Sequence, residues 1–175
     1  MPHWVYNAIS IEGPKEELSR FLDENSIPVP QGVVRAKDGS PLVKMVPEDE
    51  FSGFSFWNTI APPEDELETY FANATGVMEQ SPHNWYLWNI RNWGVRWDAT
   101  SVEVTVLSRR VLVSFCTPWN RPKPFYLALE NKWTTLDFEF LWRKDPSYRY
   151  LKRNREAERV LNALTPKPYG IGSMC

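Results

Sequence analysis

The sequence predicts a single α+β domain in which two interleaved βαβ units build a four-stranded antiparallel sheet with two helices on one face. Three observations carry this expectation. Apolar and polar residues alternate in four short segments, at 4–11, 102–106, 111–116 and 136–140. Helical stripes follow the first segment and precede the last, and a tight turn joins the middle two. The 175 residues suit one core, and 42% hydrophobic with 24% charged residues is a globular composition rather than a disordered one.

In the first strand Val5, Ile9 and Ile11 take one side and Trp4, Tyr6, Ala8 and Ser10 the other, with Asn7 interrupting the apolar side. Gly13 and Pro14 stop it. Pro14 suits a first helical position, Glu16 and Glu17 complement the positive helix end, and Leu18, Phe21 and Leu22 form a docking stripe. Residues 25–44 contain Pro28, Pro30, Gly32, Gly39 and Pro41 and read as a long loop with at most a short strand at 33–35. Residues 51–60 are aromatic and read as extended. Pro62 and Pro63, followed by Glu64, Asp65 and Glu66, start a helix whose stripe is Leu67, Tyr70, Phe71 and Ala74 and whose end is Gly76.

A further helix is expected over 82–93, closed by Gly94 in the left-handed conformation. Tyr86, Ile90 and Trp93 share one of its faces and Trp85, Trp88 and Asn92 the next, so it asks for cover from two directions. Val102, Val104 and Val106, alternating with Glu103 and Thr105, then turn at 108–110 into Val111, Val113 and Phe115, alternating with Leu112, Ser114 and Cys116. A helix over 122–133 and a strand with Leu136, Phe138 and Phe140 alternating with Asp137 and Glu139 complete the set.

This order is the split βαββαβ of the ferredoxin-like fold. It divides the chain into a ferredoxin-like domain at residues 1–145 and a basic helical extension at 146–175. Within the domain a Trp-rich helical insertion occupies 25–98, between the first helix and the second strand of the core. The sheet face away from the helices should show Trp4, Tyr6, Glu103, Thr105, Ser114, Cys116, Asp137 and Glu139. Nine Trp, seven Tyr and nine Phe exceed what packing alone asks, and an insertion this rich in rings should fold back on the main body.

A formal charge of −2 gives no general field for a polyanion. The two cysteines, Cys116 and Cys175, suggest neither a disulfide framework nor a CxxC metal site, so a reducing cytoplasm is expected. There is no basic stretch followed by an apolar run at the start, and no run of about 18 apolar residues, so neither secretion nor membrane spanning is expected. His3 and His83 lack neighbours at ligand spacing, and no metal or cofactor is expected. Nucleophile elbow, phosphate loop and HExxH pair are all missing, which argues against an enzyme. Were there a reaction centre, Asp98 with Glu103 would be its acid and base.

Three stretches resemble a known family: MPHWVYNAISIEGP, FSFWNTIAPPEDEL, and NWYLWNIRNWGVRWDAT over residues 84–100. Together they are similar to the YubB-type proteins with a ferredoxin-like domain, carried by phages, prophages and plasmids. The resemblance covers most of residues 1–142, and WN, NWG and RWDA in that spacing are its distinctive marks. Val95 and Arg96 stand where the family pattern has Thr and Lys. The resemblance implies the fold and a mobile-element setting, and brings no catalytic residues and no activity.

Asn84, Asn89, Asn92 and Asp98 lie among Trp85, Trp88, Trp93 and Trp97, and buried amides and carboxylates need partners. The favoured reading is a polar network that fixes how the insertion joins the sheet. The alternative is a pocket of rings and polar hooks made by Trp85, Trp88, Asn89, Asn92, Trp93, Trp97 and Asp98. Charge is also segregated: residues 48–68 hold seven acidic groups and no base, while 143–159 hold seven basic against three acidic. There Arg149, Lys152, Arg153, Arg155 and Arg159 either follow phosphates or pair with acid on the same chain. Three functions are therefore expected, in this order: an accessory protein that binds and modulates a host protein, counter-defence being one such role; nucleic-acid binding through the basic tail; and small-molecule or nucleotide binding through the Trp-rich insertion. Oligomeric state is left open.

Overall fold

The computed structural model describes residues 3–72 and 83–144. In chain order the elements are β1 (Trp4–Glu12), α1 (Lys15–Asn25), β2 (Pro30–Arg35), β3 (Pro41–Met45), α2 (Leu67–Phe71), α3 (Trp85–Asn92), β4 (Thr100–Leu107), β5 (Arg110–Pro118), α4 (Lys123–Lys132) and β6 (Asp137–Lys144). Short 3-10 turns occupy Phe56–Asn58 and Glu64–Glu66. The fold is mixed α+β, with one four-stranded antiparallel sheet in the order β4-β5-β1-β6 and a separate two-stranded sheet of β2 and β3.

Central β1 pairs on both edges: Ile9 lies opposite Val113 and Phe140, and Ala8 opposite Ser114 and Leu141. Because strand side chains alternate, this register separates two faces. The first carries Ile9, Ile11, Val111, Val113, Phe115, Phe138 and Phe140, and the second carries Tyr6, Ala8, Ser10, Leu112, Ser114, Cys116, Glu139 and Leu141. Helices α1 and α4 cover the first. Phe21 meets Trp133 and Phe138 with ring centroids 5.4 and 6.5 Å apart, and Tyr126 stacks on Phe140 at 4.2 Å.

Asn7, the polar interruption in β1, is buried on this apolar face with its amide fully used. Its Nδ2 donates to Val5 O and to Thr117 Oγ1, each at 2.9 Å, and its Oδ1 accepts from Tyr126 OH at 2.9 Å. One side chain thus ties β1, β5 and α4 together. Burial pushes the Tyr126 phenol above its ordinary range.

Several expectations about residues 14–93 are corrected. Pro14 is the residue before the helix rather than its first position. Residues 30–45 form a hairpin instead of a loop, with Val33 opposite Val43. Pro30 and Pro41 each stand first in their strand, where a missing N–H is tolerated, and Asp38 holds the turn by accepting from Ser40 N at 3.0 Å and Ser40 Oγ at 2.6 Å. Residues 51–60 are not extended throughout: Ser55 Oγ accepts from Trp57 N at 3.0 Å and winds Phe56–Asn58 into a turn.

The helix begun by Glu64 opens as a 3-10 turn and continues only over Leu67–Phe71, with Ala72 extended. Ala74 and Gly76 lie outside the described residues. Helix α3 starts at Trp85, because Asn84 Oδ1 accepts from Leu87 N at 2.9 Å and caps it. It buries Trp88 and Asn89, while Tyr86 and Ile90 stay exposed, so cover comes from one side. Cys116 is buried within β5, and Cys175 lies outside the described residues. Basic residues Arg149, Lys152, Arg153, Arg155 and Arg159 lie outside the described residues.

The ring-rich insertion completes the main core. Phe54 and Phe56 enter between the sheet and α4, and Phe56 lies 4.2 Å from Phe125, 5.4 Å from Phe115 and 5.7 Å from Trp93, centroid to centroid. A single apolar cluster runs from Ile9 and Val113 through these rings to Trp88 and Tyr70.

Gly94 closes α3 as the sequence predicts: its φ is +81° and its N–H donates to Asn89 O at 3.0 Å. A Cβ at this position would lie 2.4 Å from Pro124 Cδ, whereas Gly39, at φ +85°, has open space around it. Gly94→Ala is therefore expected to cost about 1–3 kcal/mol and Gly39→Ala about 1 kcal/mol, read as urea midpoints at unchanged slope.

Candidate functional site

The segment between α3 and β4 is pinned by buried polar groups. Asp98 accepts from Ser55 Oγ, from Phe56 N at 2.8 Å and from Ala99 N at 2.7 Å. Burial pushes its carboxyl above the usual carboxylate range, and these three donors pull partly against that. Asn89 Oδ1 accepts from Tyr70 OH at 2.8 Å, and its Nδ2 donates to Arg96 O at 2.8 Å. Trp93 Nε1 donates to Ile60 O at 2.9 Å, and Asn92 Nδ2 donates to Trp88 O at 2.9 Å.

The seven residues singled out in the insertion accordingly divide. Trp88, Asn89 and Trp93 are buried and Asp98 is partly buried; Asn89, Trp93 and Asp98 spend their polar side-chain groups on neighbours, and half-buried Asn92 caps the backbone of its own helix. Trp85 and Trp97 reach the surface. Asp98 is engaged with Ser55 and backbone, while Glu103 is exposed on β4, so no acid–base pair is assembled from them.

What the pinned segment presents is a surface of rings around one guanidinium. Arg96 Cζ lies 5.2 Å from the Trp97 ring centroid and 5.3 Å from those of Trp85 and Tyr86. Trp97 in turn lies 6.4 Å from Trp4 and 5.7 Å from Trp119. Tyr86, Trp97 and Trp119 are exposed. A guanidinium is weakly hydrated and stacks on ring faces, so the cluster holds its shape without apolar cover. Trp119 adopts φ +61°, a strained conformation for a bulky residue, with its N–H donating to His3 O at 2.6 Å.

Sequence reasoning missed Tyr86, Arg96 and Trp119 as site residues. A signal existed for Trp119: it sits between Pro118 and Asn120 in a strand-to-helix turn, where a ring has no core to enter. Nearby, a cleft of about 470 Å³ is lined by Gly94, Asn120, Arg121, Lys123, Trp142 and Lys144, with Arg121 Cζ 4.9 Å from the Trp142 ring centroid. Among the described residues no group of three or more His, Cys, Asp or Glu is placed to hold a metal, and no helix is long and apolar enough to cross a membrane. No protein family, curated protein or solved structure matches the chain.

Replacing an anchor and replacing a surface ring should differ sharply. Trp93→Ala is expected to cost about 3–5 kcal/mol of stability, and Trp97→Ala under about 1 kcal/mol, by urea denaturation.

Asp98 sets a pH dependence. With its folded pKa raised, the folded state keeps the proton to higher pH than the unfolded chain does. Below the unfolded value both states are protonated and nothing is lost; stability then falls as pH rises towards the folded value, and the loss is complete above it. In Asp98→Asn the amide oxygen still accepts from Phe56 and Ala99 while its nitrogen donates to Ser55. Over a urea series from acid to neutral pH, the unmodified protein should therefore lose stability relative to Asp98→Asn as pH climbs above the ordinary carboxylate range.

Proposed function

We propose that this chain is a non-enzymatic protein-binding module, an accessory protein of a mobile element that engages and modulates a host protein in the host cytoplasm. The observation that carries the proposal is the exposed surface of Tyr86, Trp97 and Trp119 gathered around Arg96. Trp, Tyr and Arg are the residues that dominate binding energy at protein interfaces. The buried bonds of Asn89 and Asp98 hold the surface in place before binding, which lowers the ordering cost of association. Strain at an exposed Trp119, which a glycine would relieve, fits a residue kept for what its ring touches. The strand order β4-β5-β1-β6, with α1 and α4 on one face, supports a ferredoxin-like platform, and with it the resemblance to the YubB-type family.

A second reading, an anionic small molecule or nucleotide, draws on the cleft beside Arg121, Lys123 and Trp142. Nucleic-acid binding across the sheet has Glu103, Asp137 and Glu139 against it, since they would repel phosphate.

The test is affinity capture from a lysate of the host, with the unmodified protein, Trp97→Ala and Trp119→Gly side by side. A host protein should be retained by the unmodified chain and bound roughly thirtyfold more weakly by each variant, the effect of a 2 kcal/mol hot spot, while melting temperatures stay within a few degrees. Equal retention by all three would exclude this surface. Retention of nothing, together with a nucleotide raising the melting temperature of the unmodified chain, would favour the cleft.

A further inference from the structure

The cleft beside Trp142 gathers positive side chains and an exposed ring, although the whole chain carries a formal charge of −2. Strand alternation sets Trp142 and Lys144 on one face near the end of β6, opposite Asn7 and Val5 of β1. The turn leaving β5 brings Asn120 and Arg121 alongside them, and α4 begins there with Lys123. Gly94 lets the end of α3 approach the start of α4, since a Cβ on it would lie 2.4 Å from Pro124 Cδ.

The cleft holds about 470 Å³, and none of the described residues lining it is a carboxylate. Arg121 and Lys123 enter no ion pair among the described residues. Arg121 Cζ lies 4.9 Å from the Trp142 ring centroid, so a guanidinium and an indole that is 42% exposed stand side by side. Lys123 occupies the first turn of α4, whose positive macrodipole end disfavours a cation, and no acidic residue stands in that turn to offset it. Two cations and a helix N-terminus repel one another in this arrangement until an anion enters.

We propose that this cleft binds a nucleoside monophosphate, its base stacked on Trp142 and its phosphate held by Arg121 and Lys123. The proposal rests on the second reading above, an anionic small molecule in this cleft, and shares no side chain with the ring surface around Arg96. A phosphate monoester carries about −1.5 to −2 charges near neutral pH, which these two cations match. The guanidinium offers a planar fork to phosphate oxygens and the ammonium a point charge. Stacking on an aromatic side chain strengthens binding on the order of tenfold per base and tolerates any base. The volume lies within the roughly 300–1,000 Å³ of small-molecule sites. A nucleic-acid strand fits less well, because Glu103, Asp137 and Glu139 set exposed carboxylates along the sheet.

The test is equilibrium dialysis of the full-length protein against AMP, GMP, CMP and UMP without divalent cations, with the matching nucleosides, inorganic phosphate and an oligothymidylate in parallel. At least one monophosphate should bind roughly tenfold more tightly than its nucleoside and than inorganic phosphate. Trp142→Ala should weaken that nucleotide roughly tenfold and leave phosphate unchanged, whereas Arg121→Gln with Lys123→Gln should weaken both roughly tenfold. Should the double variant not fold, Lys123→Gln alone is read, and a several-fold loss is expected. Phosphate bound as tightly as every monophosphate, or nucleotide affinity untouched by Trp142→Ala, overturns the proposal and leaves a plain anion site. Binding of none of the probes overturns the proposal and the second reading together, and an oligothymidylate bound more tightly than every monophosphate overturns it in favour of a strand. None of these readouts uses a host protein, so the cleft and the ring surface fail separately.

Discussion

Phe56 is wholly buried, and the architecture of the insertion follows from where it sits. Its ring touches α4 through Phe125, β5 through Phe115 and the end of α3 through Trp93. Rings of this size bury about 150–250 Å² each, a large driving force for one short segment. That burial also removes the Phe56 N–H from water, and a buried donor must be paired. Asp98 pairs it, and the desolvation of that carboxylate explains why three donors gather on it.

The surface rings inherit their position from this arrangement. Asp98 fixes the chain on one side of Trp97, and Asn89 fixes Arg96 on the other, so two adjacent residues are held by partners belonging to the core. Arg96 then gathers Trp85, Tyr86 and Trp97 around a single guanidinium. Such a network is asymmetric in energy: intact, it adds modestly to stability, but removal of one member strands the others in a medium where unpaired polar groups are costly. The interior and the surface of the insertion are therefore one mechanical unit.

The two faces of the sheet solve different problems. The helix-covered face is apolar, with Asn7 as its tie between β1, β5 and α4. The other mixes small and apolar side chains, Ala8, Ser10 and Leu112 among them, with the carboxylates of Glu103 and Glu139.

Strands β4 and β5 could be read directly because Val102, Val104 and Val106 alternate with Glu103 and Thr105, and Val111, Val113 and Phe115 with Leu112, Ser114 and Cys116, although β5 proves buried on both of its faces. The hairpin β2–β3 could not: β3 is exposed along its whole length, so burial imposes no alternation, and the Pro and Gly at its borders look like those of a loop. Gly94 was readable because its left-handed backbone is a local demand. The roles of the tryptophans were not. Local residue order determined the four strands of the main sheet, the two core helices and the Trp-dense segment that the sheet would have to accommodate. Only the tertiary structure decided that Trp93 goes inside while Trp97 stays out, and that Asp98 lies beneath them. The reason is physical: the partners that settle burial are remote in the chain, Ser55 standing 43 residues from Asp98 and Tyr126 standing 119 from Asn7.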